Sequence, residues 1–112
     1  NVSDMMYMFI RCSKLKTIDI TRMSTSNNTN FANNCNSLTK IIIRNMDTIP
    51  TIDSSEFTNC YHVTGTTTSV YNPQGLKDGR IYVPDDKVDA LKTASGWSTY
   101  ADIIAPLSTL VE

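Results

Sequence analysis

Three cysteines, a lone histidine and one adjacent pair of aspartates are the side chains in this 112-residue chain whose types invite chemistry. Cys12, Cys35 and Cys60 make an odd number, which in a secreted chain offers a reactive or intermolecular thiol. All three occupy one position of a repeated pattern, however, and stacking would set them in a buried ladder of small hydrophobes. Neighbours in such a ladder are too far apart, or too poorly directed, for a disulfide. Cys60-Tyr61-His62 brings a thiol beside the histidine. A structural zinc site wants about four closely spaced ligands, and no Cys-x-x-Cys is present. A Cys–His nucleophile also needs a third group to orient the base, and none is evident from spacing. Asp85-Asp86 has the residue types of a glycosidase carboxylate pair, but its place before an apolar stripe reads as a helix cap. Catalytic, cofactor-binding and metal-binding residues are therefore not expected, and neither is enzyme activity.

The elements that position these residues come from an internal repeat. A shift of about 23 residues superposes Cys12 on Cys35, Leu15 on Leu38, Ile18 on Ile41 and Ile20 on Ile43. The shared pattern is Cys-x-x-Leu-x-x-Ile-x-Ile. A third, degenerate copy starts at Cys60, with Val63 in the Leu position and Thr66 and Thr68 in the two Ile positions. Phe57 precedes Cys60 as Phe9 precedes Cys12, while Ala32 takes that place in the middle copy and Phe31 sits one position earlier. Ile18 and Ile20 alternate with Thr17 and Asp19, the period-2 signature of a half-buried strand. One such unit cannot bury its apolar face alone. Stacked units share one core and set their strands side by side in a parallel sheet. Polar connectors such as residues 24–30 carry Ser, Thr and Asn, which hold turns through their own backbone.

The last forty residues read differently. Asn72-Pro73-Gln74-Gly75 and Asp78-Gly79 are turn signals. Ile81-Tyr82-Val83 reads as one more strand with Ile81 and Val83 on the core face, ended by Pro84. Asp85 or Asp86 then caps a short helix that carries Val88, Leu91 and Ala94, with Asp89 near its positive end and Gly96 as terminator. A second short helix is expected from about Ser98, with Trp97, Tyr100, Ile103 and Ile104 turned inward, until Pro106 stops it. An aromatic-rich end of this kind closes a stack whose last strand would otherwise stand exposed. The expected organisation is repeat units over 1–70 and a strand with a helical cap over 71–112.

Composition narrows the function. Ten basic and eleven acidic residues leave a net charge of −1, without the basic excess that nucleic-acid binding needs. The hydrophobic share of 40% supports a folded core. No apolar run approaches the ~20 residues of a membrane span, and the apolar stretch over residues 5–10 is too short for a secretory leader. Because the chain starts on Asn inside a repeat, it is expected to be the end of a longer protein with upstream repeats.

The Cys-x-x-Leu-x-x-Ile-x-Ile unit, the aromatic before each Cys and the spacing resemble BspA-type leucine-rich repeats. So does the stretch from Gly79-Arg80-Ile81-Tyr82-Val83-Pro84-Asp85-Asp86 through Trp97-Ser98-Thr99-Tyr100 to Ile104-Ala105-Pro106-Leu107-Ser108, which is similar to the closing segment of those arrays. That family occurs on surface proteins of gut and oral bacteria and in proteins of their phages. The resemblance implies a leucine-rich-repeat solenoid, an α/β repeat fold with short parallel strands and a small helical cap. It also implies an extracellular or cell-surface adhesion role without catalysis or cofactor, recognising a protein or glycan. The alternatives are a phage virion component, as a receptor-binding appendage or decoration, and a structural spacer or assembly cap. By alternation, Thr17, Asp19 and Thr21 of the first unit and Lys40, Ile42 and Arg44 of the second face outward on the strand surface. Thr17, Asp19, Lys40, Ile42 and Arg44 are the candidate binding residues, with Ile42 as the exposed aliphatic. Asn1-Val2-Ser3 and Asn27-Asn28-Thr29 match the glycosylation acceptor pattern by accident in a bacterial or phage protein.

Overall fold

A computed structural model describes residues 12–22, 32, 34–46, 48–49, 52 and 57–110. Among them, four short strands form one parallel sheet in the order β1 (Thr17–Arg22), β2 (Lys40–Asn45), β3 (Arg80–Val83), β4 (Ile104–Pro106). A one-turn helix α1 (Tyr61–Thr64) falls between β2 and β3, and α2 (Val88–Thr93) falls between β3 and β4. The fold is a small α/β one, and its sheet runs unbroken across the 70/71 boundary. Phe9, Phe31, the stretch 5–10, the connector 24–30 and both acceptor motifs lie outside the described residues.

The sequence repeat and the sheet register coincide. Ile18 pairs with Ile41 and Ile20 with Ile43, the same pairs that the 23-residue shift superposes. The Cys-x-x-Leu spacing has a backbone cause. Leu15 N–H donates to Cys12 O at 3.0 Å, Leu38 N–H to Cys35 O at 3.1 Å and Val63 N–H to Cys60 O at 2.9 Å. Each closes a tight turn that delivers the apolar side chain to the core. A second turn precedes it in two units, from Cys35 N–H to Ala32 O and from Cys60 N–H to Phe57 O. Asn34 and Asn59, each just before its Cys, adopt left-handed φ of 65° and 62°. Asn tolerates that region better than other side chains with a Cβ. The two then meet, since Asn59 Nδ2 donates to Asn34 Oδ1 at 2.6 Å.

One apolar cluster joins all units. Ile18, Ile41, Ile43, Ile81, Val83 and Ile104 reach it from the strands, and Cys35, Leu38, Cys60 and Val63 from the turns. Cys12, Leu15 and Ile20 of the first unit are only partly buried against it. Each fully buried Ile or Leu contributes roughly 1.5–3 kcal/mol.

The third unit departs from expectation. Thr66 and Thr68 do not enter the sheet. Ile81 and Val83 take the core positions beside β2 that the repeat assigns to them, because Lys40, Ile41 and Ile42 pair with Arg80, Ile81 and Tyr82. The unit therefore keeps its turn and loses its adjoining strand. Residues 65–79 form an excursion whose base is closed by Gly79 N–H donating to His62 O at 3.0 Å. Two hydroxyl-bearing β-branched side chains cannot replace two Ile in a dry core, since each unsatisfied hydroxyl would be costly.

The closing segment corrects three expectations. Among the described residues no side chain caps α2, and Asp85 instead accepts the backbone N–H of Ser108 at 3.0 Å, stapling both ends of the cap. Gly96 is not the residue that ends α2, whose C-cap is Ala94 in an extended conformation. It turns the chain at φ 82°, and a Cβ there would collide with Ile52 O. The second helix is a kinked 3₁₀ stretch, Trp97–Ile103, that buries Trp97, Tyr100 and Ile103 as expected. Ile104–Pro106 is then a fourth strand, with Ile104 beside Ile81. Three residues ending in Pro carry too little pattern to read as a strand, although Pro suits an edge. Tyr100 docks this cap on the third unit. Its ring meets Phe57 edge-on at 5.0 Å, and its hydroxyl accepts Phe57 N–H at 3.4 Å.

Candidate functional site: the strand face

The sheet register assembles the face opposite the core into rows. Thr17, Lys40 and Arg80 make one row, and Asp19, Ile42, Tyr82 and Ala105 the next. Arg44 follows on β2. The Arg44 guanidinium reaches diagonally across the strands and grips Asp19 with two bonds, Nε to Oδ1 at 3.1 Å and Nη2 to Oδ2 at 2.8 Å. These bonds hold the Asp19 carboxyl below the usual carboxylate range. Two planar groups bonded in parallel have little freedom, so the pair is presented in one geometry. Thr17, Asp19 and Thr21 are exposed, and Lys40 and Arg44 half-buried.

Ile42 is a correction. Alternation predicts that it stands out from the face, yet its exposure is only 3%. It is absent from the core cluster, so it is covered on the outer face. Position explains this. β2 is an inner strand, and the register sets Asp19 on one side of Ile42 and Tyr82 on the other, with Lys40 and Arg44 before and after it. Long polar side chains cover apolar neighbours with their stems. Ile42 supports the face and offers almost no surface of its own.

Two residues of the face, Arg80 and Tyr82, are not among those that the sequence reading singles out. Their signal is present, since Ile81 and Val83 point inward and alternation turns Arg80 and Tyr82 outward. What alternation cannot say is that β3 sits beside β2. Arg80 Nη1 donates to Gly79 O at 2.7 Å and Lys77 O at 3.2 Å, which orients its guanidinium at the foot of the excursion. Lys77 in turn pairs with Asp102 at 2.8 Å, and this bond depresses the Asp102 carboxyl.

The chemistry-bearing residues named first have structural surroundings. The three cysteines are thiols, with Cys35 and Cys60 buried and Cys12 half-buried. Burial pushes the Cys35 thiol up to about 11 and that of Cys60 to about 12, so neither forms a thiolate nucleophile at neutral pH. Cys60 Sγ donates to Ala32 O at 3.0 Å, across to the preceding unit. Among the described residues no three His, Cys, Asp or Glu side chains gather as metal ligands do. The two ring nitrogens of His62 are held by Asp78 and the Tyr71 carbonyl. Asp85 is engaged by Ser108, whose bonds lower its carboxyl. No helix among the described residues is long and apolar enough to cross a membrane.

Comparison with known families, characterised proteins and solved structures finds no match to this chain.

Proposed function

We propose that this chain is a non-enzymatic binding module, the C-terminal repeats and closing segment of a BspA-type leucine-rich-repeat solenoid that recognises a protein or glycan on a cell surface. The observation that carries this reading is the strand face. Its rows are set by backbone register, and its acid, Asp19, is locked by Arg44. A face organised before binding loses little conformational entropy when it meets a partner. Recognition then rests on Thr17, Asp19, Lys40 and Arg44, with Arg80 and Tyr82 extending the surface. Ile42 acts from beneath. Support for the solenoid is the match between sequence repeat and strand register in the first two units, each of which adds one turn and one strand to a shared core, while the third adds its turn and leaves its strand place to β3. The module works outside the cell, and further repeats of the same protein would extend the face at the β1 edge.

The test is capture of the labelled chain on bacterial cells, epithelial cells and immobilised matrix proteins, beside a Lys40→Glu, Arg44→Glu variant. Reversing two charges on the face should weaken capture about tenfold or more, with the circular dichroism spectrum unchanged. Capture by host surfaces identifies an adhesin, and selective capture by bacteria identifies a phage or co-aggregation role. Equal capture of variant and parent would remove the site from the strand face. No capture on any surface would leave the spacer or assembly-cap reading in its place.

A further inference from the structure

The chain leaves the sheet after α1 and returns at β3, and one side chain ties both limbs of that excursion. His62 Nδ1 lies 2.6 Å from Asp78 Oδ1 on the returning limb. His62 Nε2 lies 2.8 Å from Tyr71 O on the outgoing limb. A carboxylate and a carbonyl oxygen are both acceptors. A neutral imidazole carries one N–H, so it can bond one of them and must turn a lone pair toward the other. The imidazolium donates to both.

We propose that His62 is a pH-gated latch on the 65–79 excursion. With the ring charged, both limbs are held. When the ring loses a proton, either the Tyr71 limb or the Asp78 limb is let go. This inference is independent of the strand-face reading.

The rest of the surroundings fit a latch whose control lies in this ring. Lys77 is engaged by Asp102 of the Trp97–Ile103 stretch, and Arg80 donates to the backbone at Lys77 and Gly79. Tyr61, next to His62 on α1, stacks on Tyr71 with ring centroids 6.0 Å apart. The middle of the excursion is held differently. Asn72 is 1% exposed, and its Nδ2 lies 3.1, 3.1 and 3.0 Å from the carbonyls of Tyr61, Thr66 and Leu76. Its Oδ1 accepts Leu76 N–H at 3.0 Å. A carboxamide does not titrate, so a pH dependence at Thr68, Gly75 and Leu76, whose N–H groups bond to Asn72, reaches the knot only through the limbs that the latch holds. Among the described residues, the large apolar side chains that stand exposed, Val70 at 75%, Leu76 at 49% and Tyr71 at 37%, all lie on the excursion that the latch steadies. Release would loosen the presentation of these side chains without unfolding the sheet.

His62 is the only histidine, so its ring signals need no assignment by elimination. The experiment is a pH series on the whole chain. Long-range proton–nitrogen correlations count the N–H groups on the ring, and amide exchange is read at Thr68, Gly75, Leu76 and Gly79. Leu38 and Lys40, in the stacked units, are the internal controls. As the ring goes from two N–H groups to one, exchange in the excursion should accelerate about tenfold more than at Leu38 and Lys40, the loss expected for one charge-assisted bond. That extra acceleration should vanish in His62→Gln and shrink in Asp78→Asn, which keeps the shape of the partner. A flat exchange ratio across the ring titration overturns the proposal. So does a pH dependence that survives His62→Gln, or a ring with one N–H while the excursion is fully protected. Should His62→Gln fail to fold, the ring count and Asp78→Asn decide alone.

Discussion

From Cys12 to Asn45 the chain is held by repetition, whereas from Gly65 to Gly79 it is held by single polar side chains. In the first region β1 has its counterpart in β2 about 23 residues on, the tight turn at Cys12 recurs at Cys35 and Cys60, and the units bond to one another: Thr39 N–H meets Lys16 O, and Asn36 Nδ2 meets Asn59 O across 23 positions. The ladder and the apolar core distribute that order over many residues. In the second region, all of it among the described residues, no strand ladder runs, and the backbone polar groups need other partners. Asn72 shares its two side-chain N–H groups among three carbonyls and accepts one N–H, and His62 reaches two further acceptors. The contrast teaches that one chain can order itself by many weak, similar contacts or by a few strong, specific ones. The two designs should fail in different ways.

The largest effect is expected where the closing segment seals the shared core. Trp97 is fully buried, and Trp97→Ala should cost roughly 3–5 kcal/mol in denaturant unfolding, enough to threaten a domain of this size. Native tryptophan emission quenched by acrylamide as freely as in denatured protein would contradict the seal. Asn72→Ala should come next, at about 2–3 kcal/mol, because it removes the two N–H donors that serve three carbonyls and the acceptor of Leu76 N–H from the centre of the excursion. Here the locality of the damage is the informative readout. Amide exchange should accelerate at Thr68, Gly75 and Leu76 while Leu38 and Lys40 keep most of their protection. The Asn72→Asp variant should behave like the alanine variant, since a carboxylate cannot donate. Uniform loss across the molecule would erase the distinction between the two regions.

The smallest effect concerns the thiols of the ladder. Cys35 and Cys60 are raised to about 11 and 12 by burial, above the ordinary thiol value of 9.0. Above pH 9 the unfolded chain loses these protons first, so it binds fewer protons than the native one and stability falls as pH rises. Below that range the thiols contribute no slope. A thiol reagent at about pH 8, just under the ordinary thiol range, should label Cys12 first, leave Cys35 and Cys60 to unfolding, and find three equivalents in denaturant. Rapid native labelling of Cys35 would show a ladder open to solvent.

Much of the fold was legible from residues that repeat. The Cys, Leu and Ile positions predicted parallel strands and a common core, and Asn precedes Cys at both left-handed turns, Asn34-Cys35 and Asn59-Cys60. The turn at Asn72-Pro73-Gln74-Gly75 was also legible, and it is closed by Gly75 N–H on Asn72 O at 3.1 Å. Of the five candidate binding residues, Thr17, Asp19, Lys40 and Arg44 lie on the outer face. Ile42 lies there too but is covered, because alternation assigns a face and cannot tell whether neighbours will close over it.

The sequence by itself determined the period of the units, the core-facing side chains and the turns that precede the strands, since these follow from local backbone geometry and from apolar spacing. Only the tertiary structure decided which segment took the place beside β2. Thr66 and Thr68 stood nearer in the chain, but the dry core accepted Ile81 and Val83, and the displaced residues became an excursion held by Asn72 and His62. Pairing partners separated in sequence are chosen by the burial they achieve together, and that sum does not exist until the chain has folded.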